Sequence, residues 1–574
     1  MSYVHTNTVP GARHQYSFSP RPLIEAAVRV SFCKALAIAC ALMLALSAIP
    51  LHAQTYHDLF EFDCGDGDGG PGCQPLNKGQ LAQGSDGNFY GTTDDEGAYE
   101  IGTIFVVSPD GSFQTDLWSF DYTTGAYPNG GLTLASDGNF YGTAFGGGDF
   151  GDGTVFRFTP PSTITVLHSF SGGADGGAPW ASPVQGIDGN LYGVTGQSTV
   201  YRITLPAGAF QVLPHKAPEG PTAPLVLALD GNLYGTTDGG GKHNKGTVFR
   251  LTTAGAIKTI YSFSGPDGSY PTSPLTYGMG GNLLGTTSSG GANNTGTIFK
   301  LTTSGALTTL HDFSALSGGT NSDGASPLAG LLYASDGNLY GPTPLGGADG
   351  NGTLFEIGAN GANFQKLYDF SQGGPNGSEA WTTLVEHTNG SYYGLTAESG
   401  SLNWGNFYSL VPTSPIPILR VAGPIWVTPG QPVEILGNDL TQVTSVTFGP
   451  VPASFRVGSE TYMMATVPGG AVDGVIDATL RNGEQIKTQR GVFILPKIDS
   501  FNPSSGAAGT QVNIQGGGFT GATQVTFGGV SATNFTVVSA AAIQAKVPPG
   551  AKSGKIKVTT PNGSATSTQK FKVK

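Results

Sequence analysis

Asp230-Gly231-Asn232-Leu233-Tyr234-Gly235-Thr236-Thr237 is followed, after a glycine cluster, by Gly246-Thr247-Val248-Phe249, and the recurrence of these two strings decides the fold. The tyrosine-glycine step returns as Tyr90-Gly91, Tyr141-Gly142, Tyr192-Gly193, Leu284-Gly285, Tyr340-Gly341 and Tyr393-Gly394. Successive glycines of the seven copies are 51, 51, 42, 50, 56 and 53 residues apart. That is the size of one β-propeller blade and too long for a leucine-rich or ankyrin repeat. Glycine, at 90 of 574 residues, is more than twice its usual share, which sets helical repeats aside.

Each copy reads as short strands from its apolar and small polar alternation. The second strand is Gly102-Thr103-Ile104-Phe105, recurring at 153–156, 246–249, 296–299 and 352–355, with degenerate forms at 198–201 and 405–408. The third is Leu117-Trp118-Ser119-Phe120, recurring at Leu167, Ile260, Leu310 and Leu367. A fourth is expected around Leu132 to Ala135. The last copy ends near Leu410 without its third strand, whereas Leu59-Phe60-Glu61-Phe62 has that pattern ahead of the first copy. Closing the chain into a ring, with this N-terminal strand completing the last blade, removes the exposed sheet edges.

After Pro412 a longer period begins. Val446-Thr447-Phe448-Gly449 returns 79 residues later as Val525-Thr526-Phe527-Gly528, and Val467-Pro468 returns 80 residues later as Val547-Pro548. Two homologous domains of about 80 residues follow from this. The expected organisation is all-β: a signal peptide over 1–53, a seven-bladed propeller over 54–412, a linker at 413–422 and two domains at 423–495 and 496–574 that resemble immunoglobulin-like sandwiches.

The Gly-Asn-Leu-Tyr-Gly-Thr-Thr and Gly-Thr-Val-Phe strings resemble the choice-of-anchor tandem-repeat family named for its GloVer motif. This resemblance implies export and a surface role and supplies no catalytic residues. The tail resembles IPT/TIG domains, most closely in the second copy through Phe501-Asn502-Pro503, Gly518-Phe519, Phe527-Gly528 and Val547-Pro548. It implies a spacer or binding role.

Arg29 and Lys34 precede the apolar run Ala35 to Ile49, and Leu51-His52-Ala53 offers a small-residue cleavage site, the pattern of a secretory leader. No later stretch approaches the roughly 20 apolar residues needed to span a bilayer. Cys64 and Cys73 are then the only mature cysteines and are expected to pair in an oxidising compartment. Residues 54–415 carry 31 acidic and only 10 basic side chains, which argues against nucleic acid as a partner. The segment from Pro496 onward reverses the sign, with eight lysines against Asp499.

No nucleophile elbow, His-Glu-x-x-His helix or phosphate-binding loop occurs in the sequence. The Asp-Gly-Asn turns at Asp86, Asp137, Asp188, Asp230 and Asp336 read as hairpin chemistry in preference to calcium ligands, since each offers one carboxylate where a hard cation wants six to eight oxygens. His168 and His311 share a strand position with Trp118, Tyr261 and Tyr368 and read as packing residues. The loops after the Tyr-Gly step should share one face, carrying Asp94, Asp95, Glu96, Phe145, Lys242, His243, Asn293, Asn294, Leu345 and Trp404. Lys242, His243 and Trp404 are the ligand-face candidates, and no catalytic, metal or cofactor residue is assigned. The expectation is a monomeric, non-catalytic binding or adhesion protein, secreted or at the cell surface, engaging a carbohydrate, envelope polymer or protein. A secreted polysaccharide lyase or hydrolase and a structural surface spacer are the alternatives. The lyase or hydrolase reading requires three or more ionisable groups converging at the propeller mouth.

Overall fold

The computed structural model describes residues 54–62, 80–95, 97–112, 114–278, 280–371, 378–397, 405–412, 418–423, 425–488 and 491–574. Among these there is no α-helix, and the one helical turn is the 3-10 segment Leu440–Gln442.

Residues 54–412 form seven four-stranded antiparallel sheets in a propeller-like arrangement. In the fourth sheet the order is Val226–Leu227, Leu233–Thr237, Thr247–Leu251, Ile257–Ser262, so that, counted within a sheet, the Tyr-Gly strand is second and the Gly-Thr-Val-Phe strand third. The two central strands pair Tyr234 with Arg250 and Gly235 with Phe249. The seventh sheet draws its outer strand from the other end of the chain: Gln54–Glu61 pairs with Asn406–Pro412, Gln54 lying opposite Pro412. Seven apolar clusters lie between consecutive sheets, and one of them, built on Phe62, Phe89, Phe105, Tyr393 and Phe407, joins the seventh sheet to the first. Strands such as Leu233–Thr237 are buried along their whole length because a neighbouring sheet covers each face.

Packing explains every constant residue of the repeat. A Cβ on Gly235 would lie 2.6 Å from the ring of Phe249, and on Gly91, 2.4 Å from Phe105, so only glycine lets the third-strand aromatic lie across its neighbour. The first threonine reaches the next sheet: Thr92 Oγ1 donates to the Pro128 carbonyl at 2.8 Å, and Thr236 to Ser273 at 3.0 Å. The second threonine pairs with the threonine that opens the following strand, Thr93 with Thr103 at 2.9 Å and Thr237 with Thr247 at 2.8 Å. His168 and His311 bond to Asp175 and Asp323, each at 3.0 Å, and stack on Phe210 and Phe364.

Beyond residue 418 the strands form two further units, each with its own apolar core. The first combines Leu419–Gly423, Pro432–Gly437, Tyr462–Thr466 and Phe455–Val457 with a second sheet through Val443–Phe448 and Ile476–Leu480. The second pairs a four-stranded sheet containing Gln511–Gly517 and Ala542–Lys546 with a five-stranded one containing Gly554–Thr560 and Gly563–Val573. No helix among the described residues is long and apolar enough to cross a membrane.

Candidate functional site

Strand direction divides the loops of residues 54–412 between two faces. The turn joining the first and second strands of each sheet, and the turn joining the third and fourth, lie on one face. The glycine loops between the second and third strands share the opposite face with the connections to the next sheet.

On the turn face the conserved-looking tyrosine is spent internally. Tyr141, Tyr192, Tyr234 and Tyr340 each donate to the aspartate of their own Asp-Gly-Asn turn, at 2.7, 2.8, 2.7 and 2.6 Å. The other carboxylate oxygen accepts the turn asparagine's N–H, as in Asp230 with Asn232 at 3.0 Å. Both oxygens therefore stabilise a hairpin, which is the physical reason the motif repeats. Among the described residues no group of three or more histidine, cysteine, aspartate or glutamate side chains is arranged to hold a metal ion. A shallow polar pocket of about 380 Å³ on this face is lined by Asp230, Tyr234, Arg250, Lys258, Thr303 and Ser304.

The same face carries the seam between seventh and first sheets. The His387 Nε2–H donates to the Gly87 carbonyl at 2.8 Å, while its Nδ1 accepts the Asn389 N–H at 3.1 Å. The ring is thus held as one neutral tautomer, and burial pushes its pKa below the ordinary histidine value. Gln83 donates to Thr388 at 3.1 Å and accepts from Arg420 at 3.0 Å. Arg420 belongs to the first strand after the array.

The glycine-loop face is different in kind, because there the seven copies stop agreeing. Three residues before the glycine that opens the third strand stand Tyr99, Phe150, His243, Asn293 and Asp349 in the first, second, fourth, fifth and sixth sheets. A second variable position lies in the connection to the next sheet: Tyr127, Ala178, Tyr270, Ser326 and Glu379 all have φ between 51° and 58°. Left-handed backbone costs a non-glycine residue about 1–2 kcal/mol. Bonds to both flanking glycine loops hold it: the Tyr270 N–H donates to Lys245 O at 2.9 Å, and the Ser288 N–H to Tyr270 O at 3.1 Å. Two residues further on stand Asn129, Trp180, Thr272, Leu328 and Trp381, and Thr222 stands two after Gly220, the left-handed residue of the connection into the fourth sheet. Thr222 Oγ1, Thr272 Oγ1 and Trp381 Nε1 are out of contact with solvent and have no hydrogen-bond partner among the described residues.

Exposed aromatic side chains stand on the loops of the first sheets: Tyr99, Tyr122 and Phe150 are 60%, 63% and 64% exposed, and Tyr127 is exposed too. Tyr122, Asp95 and Asp94 lie close enough to the Tyr127 hydroxyl to act on it electrostatically. The Phe145 N–H donates to the Tyr127 carbonyl at 3.0 Å, and the Phe145 ring meets Trp180 at 4.5 Å between centroids. Phe145, Asp94 and Asp95 were legible as loop-face residues, whereas Tyr122, Tyr127 and Trp180 were not. Their signal was the recurring proline that follows the left-handed residue, as in Tyr127-Pro128 and Tyr270-Pro271.

Lys242 and His243 lie exposed on the same face, in the turn of the fourth sheet. Lys245 sits 5.2 Å from the ring of Tyr270, which is 39% exposed, so in this sector a cation lies against the tyrosine. The structure does not bring Lys242 or His243 into the aromatic group. Trp404, Cys64 and Cys73 lie outside the described residues.

Residues 46–198 and 194–408 match the family model described as the Gloeobacter/Verrucomicrobia repeat, and 496–573 match the IPT/TIG domain model. The match finds one IPT/TIG domain, where the sequence alone had led us to expect two. No curated protein matches the chain. Among solved structures it is similar to a streptogramin B lyase (13% identity, 63% of this chain and 98% of the other, TM-score 0.43). It is likewise similar to the selenomethionine-substituted virginiamycin B lyase from Staphylococcus aureus (16%, 62% and 98%, TM-score 0.42). A fungal alcohol oxidase of the AA5 family in complex with copper gives 12% identity over 74% of this chain and 99% of the other, with a TM-score of 0.44. At these scores the likenesses say nothing about activity.

Proposed function

The chain belongs to the Gloeobacter/Verrucomicrobia repeat family, and on that premise we propose that it is an exported, non-catalytic binding or adhesion protein of the cell envelope or extracellular space. In this reading 1–53 is a cleaved leader, Cys64 and Cys73 form a local disulfide, and the seven sheets are the blades of a closed propeller. Residues 423–495 are a divergent second immunoglobulin-like domain ahead of the IPT/TIG domain, and the chain works as a monomer. The glycine-loop face engages a carbohydrate, polymer or protein and not nucleic acid.

One observation carries this. Seven copies of one unit lie in a single chain, their constant residues are consumed by packing and turn bonds, and their variation gathers at exposed positions of one face. Variation at exposed loop tips on a rigid scaffold is the usual arrangement of a binding surface. A purely structural spacer would need neither the exposed rings nor the left-handed residues that present them.

The test is a pull-down from isolated envelope fractions with residues 54–574, beside a variant in which Tyr99, Phe150, His243 and Asn293 are all replaced by alanine. The wild type should retain a component that the variant releases. Equal retention by both would overturn the assignment to this face. Single replacements of Lys242, His243 and Trp404 in the same assay test the basic sector against the aromatic one.

A further inference from the structure

We infer that the aromatic sector over the first three sheets is a binding platform for an uncharged polysaccharide, an inference that rests on the loop-face reading above and names its ligand class. The platform is Tyr122, Tyr127, Phe145 and Trp180, with Tyr99 and Phe150 exposed on the glycine loops that bond to the same connection. Tyr127 ties the group together: its hydroxyl lies beside Tyr122, its carbonyl accepts the Phe145 N–H, and Phe145 in turn meets Trp180. Most of these rings are tyrosine or tryptophan, whose apolar body and polar edge suit a ligand that is apolar on one side and wet on the other. A pyranose ring is such a ligand: its axial C–H face covers an aromatic ring and its equatorial hydroxyls remain available to carboxylate and carbonyl acceptors.

Charge selects among glycans. The loops that build this sector, residues 93–102, 120–132, 144–153 and 170–183, contain eight acidic side chains and no lysine, arginine or histidine. A uronate, sulfated or phosphorylated chain would bring like charge to a field with nothing to offset it. A polycation meets fewer ready partners than the count suggests: Asp121 is occupied by Thr123 and Thr124, and Asp175 by His168 and Ser171, so two of the eight carboxylates brace the loops, and chitosan is the competing ligand in the test. A flat protein partner is disfavoured because the rings stand on loops rich in glycine and threonine, without the aliphatic surround that excludes water at a protein hot spot.

Affinity electrophoresis of the full mature chain through gels containing mixed-linkage β-glucan, glucomannan or galactomannan tests this, with polygalacturonate and chitosan as charged counterparts. At least one neutral polymer should retard the protein. Trp180→Ala and Tyr122→Ala should each weaken that binding tenfold or more, and Arg420→Ala, on the turn face, should leave it unchanged. Circular dichroism and the melting temperature establish that each variant is folded, and Tyr122→Phe, which keeps the ring, should retain most of the binding. Retardation by polygalacturonate or chitosan alone, or undiminished neutral-glycan binding in Trp180→Ala, overturns the inference. If the envelope pull-down succeeds while every neutral polymer fails, the loop-face function stands and the ligand class falls. If both fail, both readings fall together.

Discussion

Replacing Tyr201 by phenylalanine should make the protein more stable, although the change deletes a polar group. The Tyr201 ring occupies the position held by Phe105, Phe156, Phe249, Phe299 and Phe355 in other sheets. Its hydroxyl ends over Gly193, 2.2 Å from where a Cβ would be, fully buried and without a hydrogen-bond partner among the described residues. Burial alone pushes its pKa upward, as expected for a phenol with nothing to stabilise its charge. Leaving such a group unpaired costs about 1–3 kcal/mol, and the packing lost with one oxygen offsets only part of it, so Tyr201→Phe should gain about 1–2 kcal/mol. Two substitutions should move the other way. Tyr192→Phe removes a hydroxyl that donates to Asp188 at 2.8 Å and to the Thr253 carbonyl at 3.2 Å, and should lose about 1–2 kcal/mol. Phe249→Tyr drives a hydroxyl into the space over Gly235, where the existing ring already sits 2.6 Å from a would-be Cβ, and should lose about 2 kcal/mol or more. Urea unfolding rates followed by tryptophan fluorescence suit the comparison, since about 1.4 kcal/mol of native-state change alters the rate up to tenfold. Melting temperatures are less sensitive, moving only about 1–2 °C per kcal/mol in an array of this length. Faster unfolding in Tyr201→Phe would refute the reasoning, because the hydroxyl would then be satisfied and not stranded.

The seam histidine predicts a pH dependence. His387 is held neutral with its pKa below the ordinary 6.5, so the unfolded chain binds the extra proton and stability falls as pH drops from about 6.5 downward. His387→Gln should flatten that acid limb of a stability profile, and an unchanged limb would locate the titration elsewhere. Asp230→Ala removes the acceptor for both Tyr234 and Asn232 and should cost about 1–3 kcal/mol in thermal unfolding, while calcium or a chelator should leave the wild-type melting curve unmoved. A calcium-dependent melting shift would restore the metal reading of these turns. Reduction of the proposed Cys64–Cys73 pair opens a short loop and should cost about 2–3 kcal/mol, measured as a lowered urea midpoint beside a Cys64→Ser/Cys73→Ser variant that no longer responds to reductant.

The framework was readable in the sequence because each constant residue answers to a local rule. Glycine at 235 and its equivalents marks a close approach, the Asp-Gly-Asn string marks a hairpin, and the apolar alternation marks strands. The N-terminal outer strand was readable too, because one strand type was surplus at one end and missing at the other, and Gln54–Glu61 does pair with Asn406–Pro412. The aromatic sector was harder to read. Its members come from two loop types that are far apart in each repeat, and Tyr122, Tyr127 and Trp180 lie in connections whose lengths vary from copy to copy. Only the third dimension brings Tyr127 beside Phe145. Lys242 and His243 stood out in the sequence because charge is scarce there, yet scarcity marks a residue without saying what lies next to it.

Strand polarity also fixes which face is free. Every third strand runs from the glycine-loop face toward the turn face, and the array ends on such a strand, Asn406–Pro412. The chain therefore leaves the array on the turn side. Arg420, in the next strand, reaches Gln83 on that side, next to the seam where His387 meets Gly87. The N-terminal strand starts opposite Pro412, so residue 54 enters on the same side. Residue 54 and Pro412 thus both lie at the face whose tyrosines and aspartates are already consumed by their own turns. The face whose residues vary from copy to copy, and whose rings are exposed, receives neither. A tether at either end would hold the protein by its turn face and present the loop face outward. The same polarity makes Arg420→Ala a discriminating control, since it should loosen the tail's hold on the seam, read as faster proteolysis after residue 412, without touching polysaccharide binding. Loss of binding in that variant would mean that the tail, and not the loop face, carries the ligand.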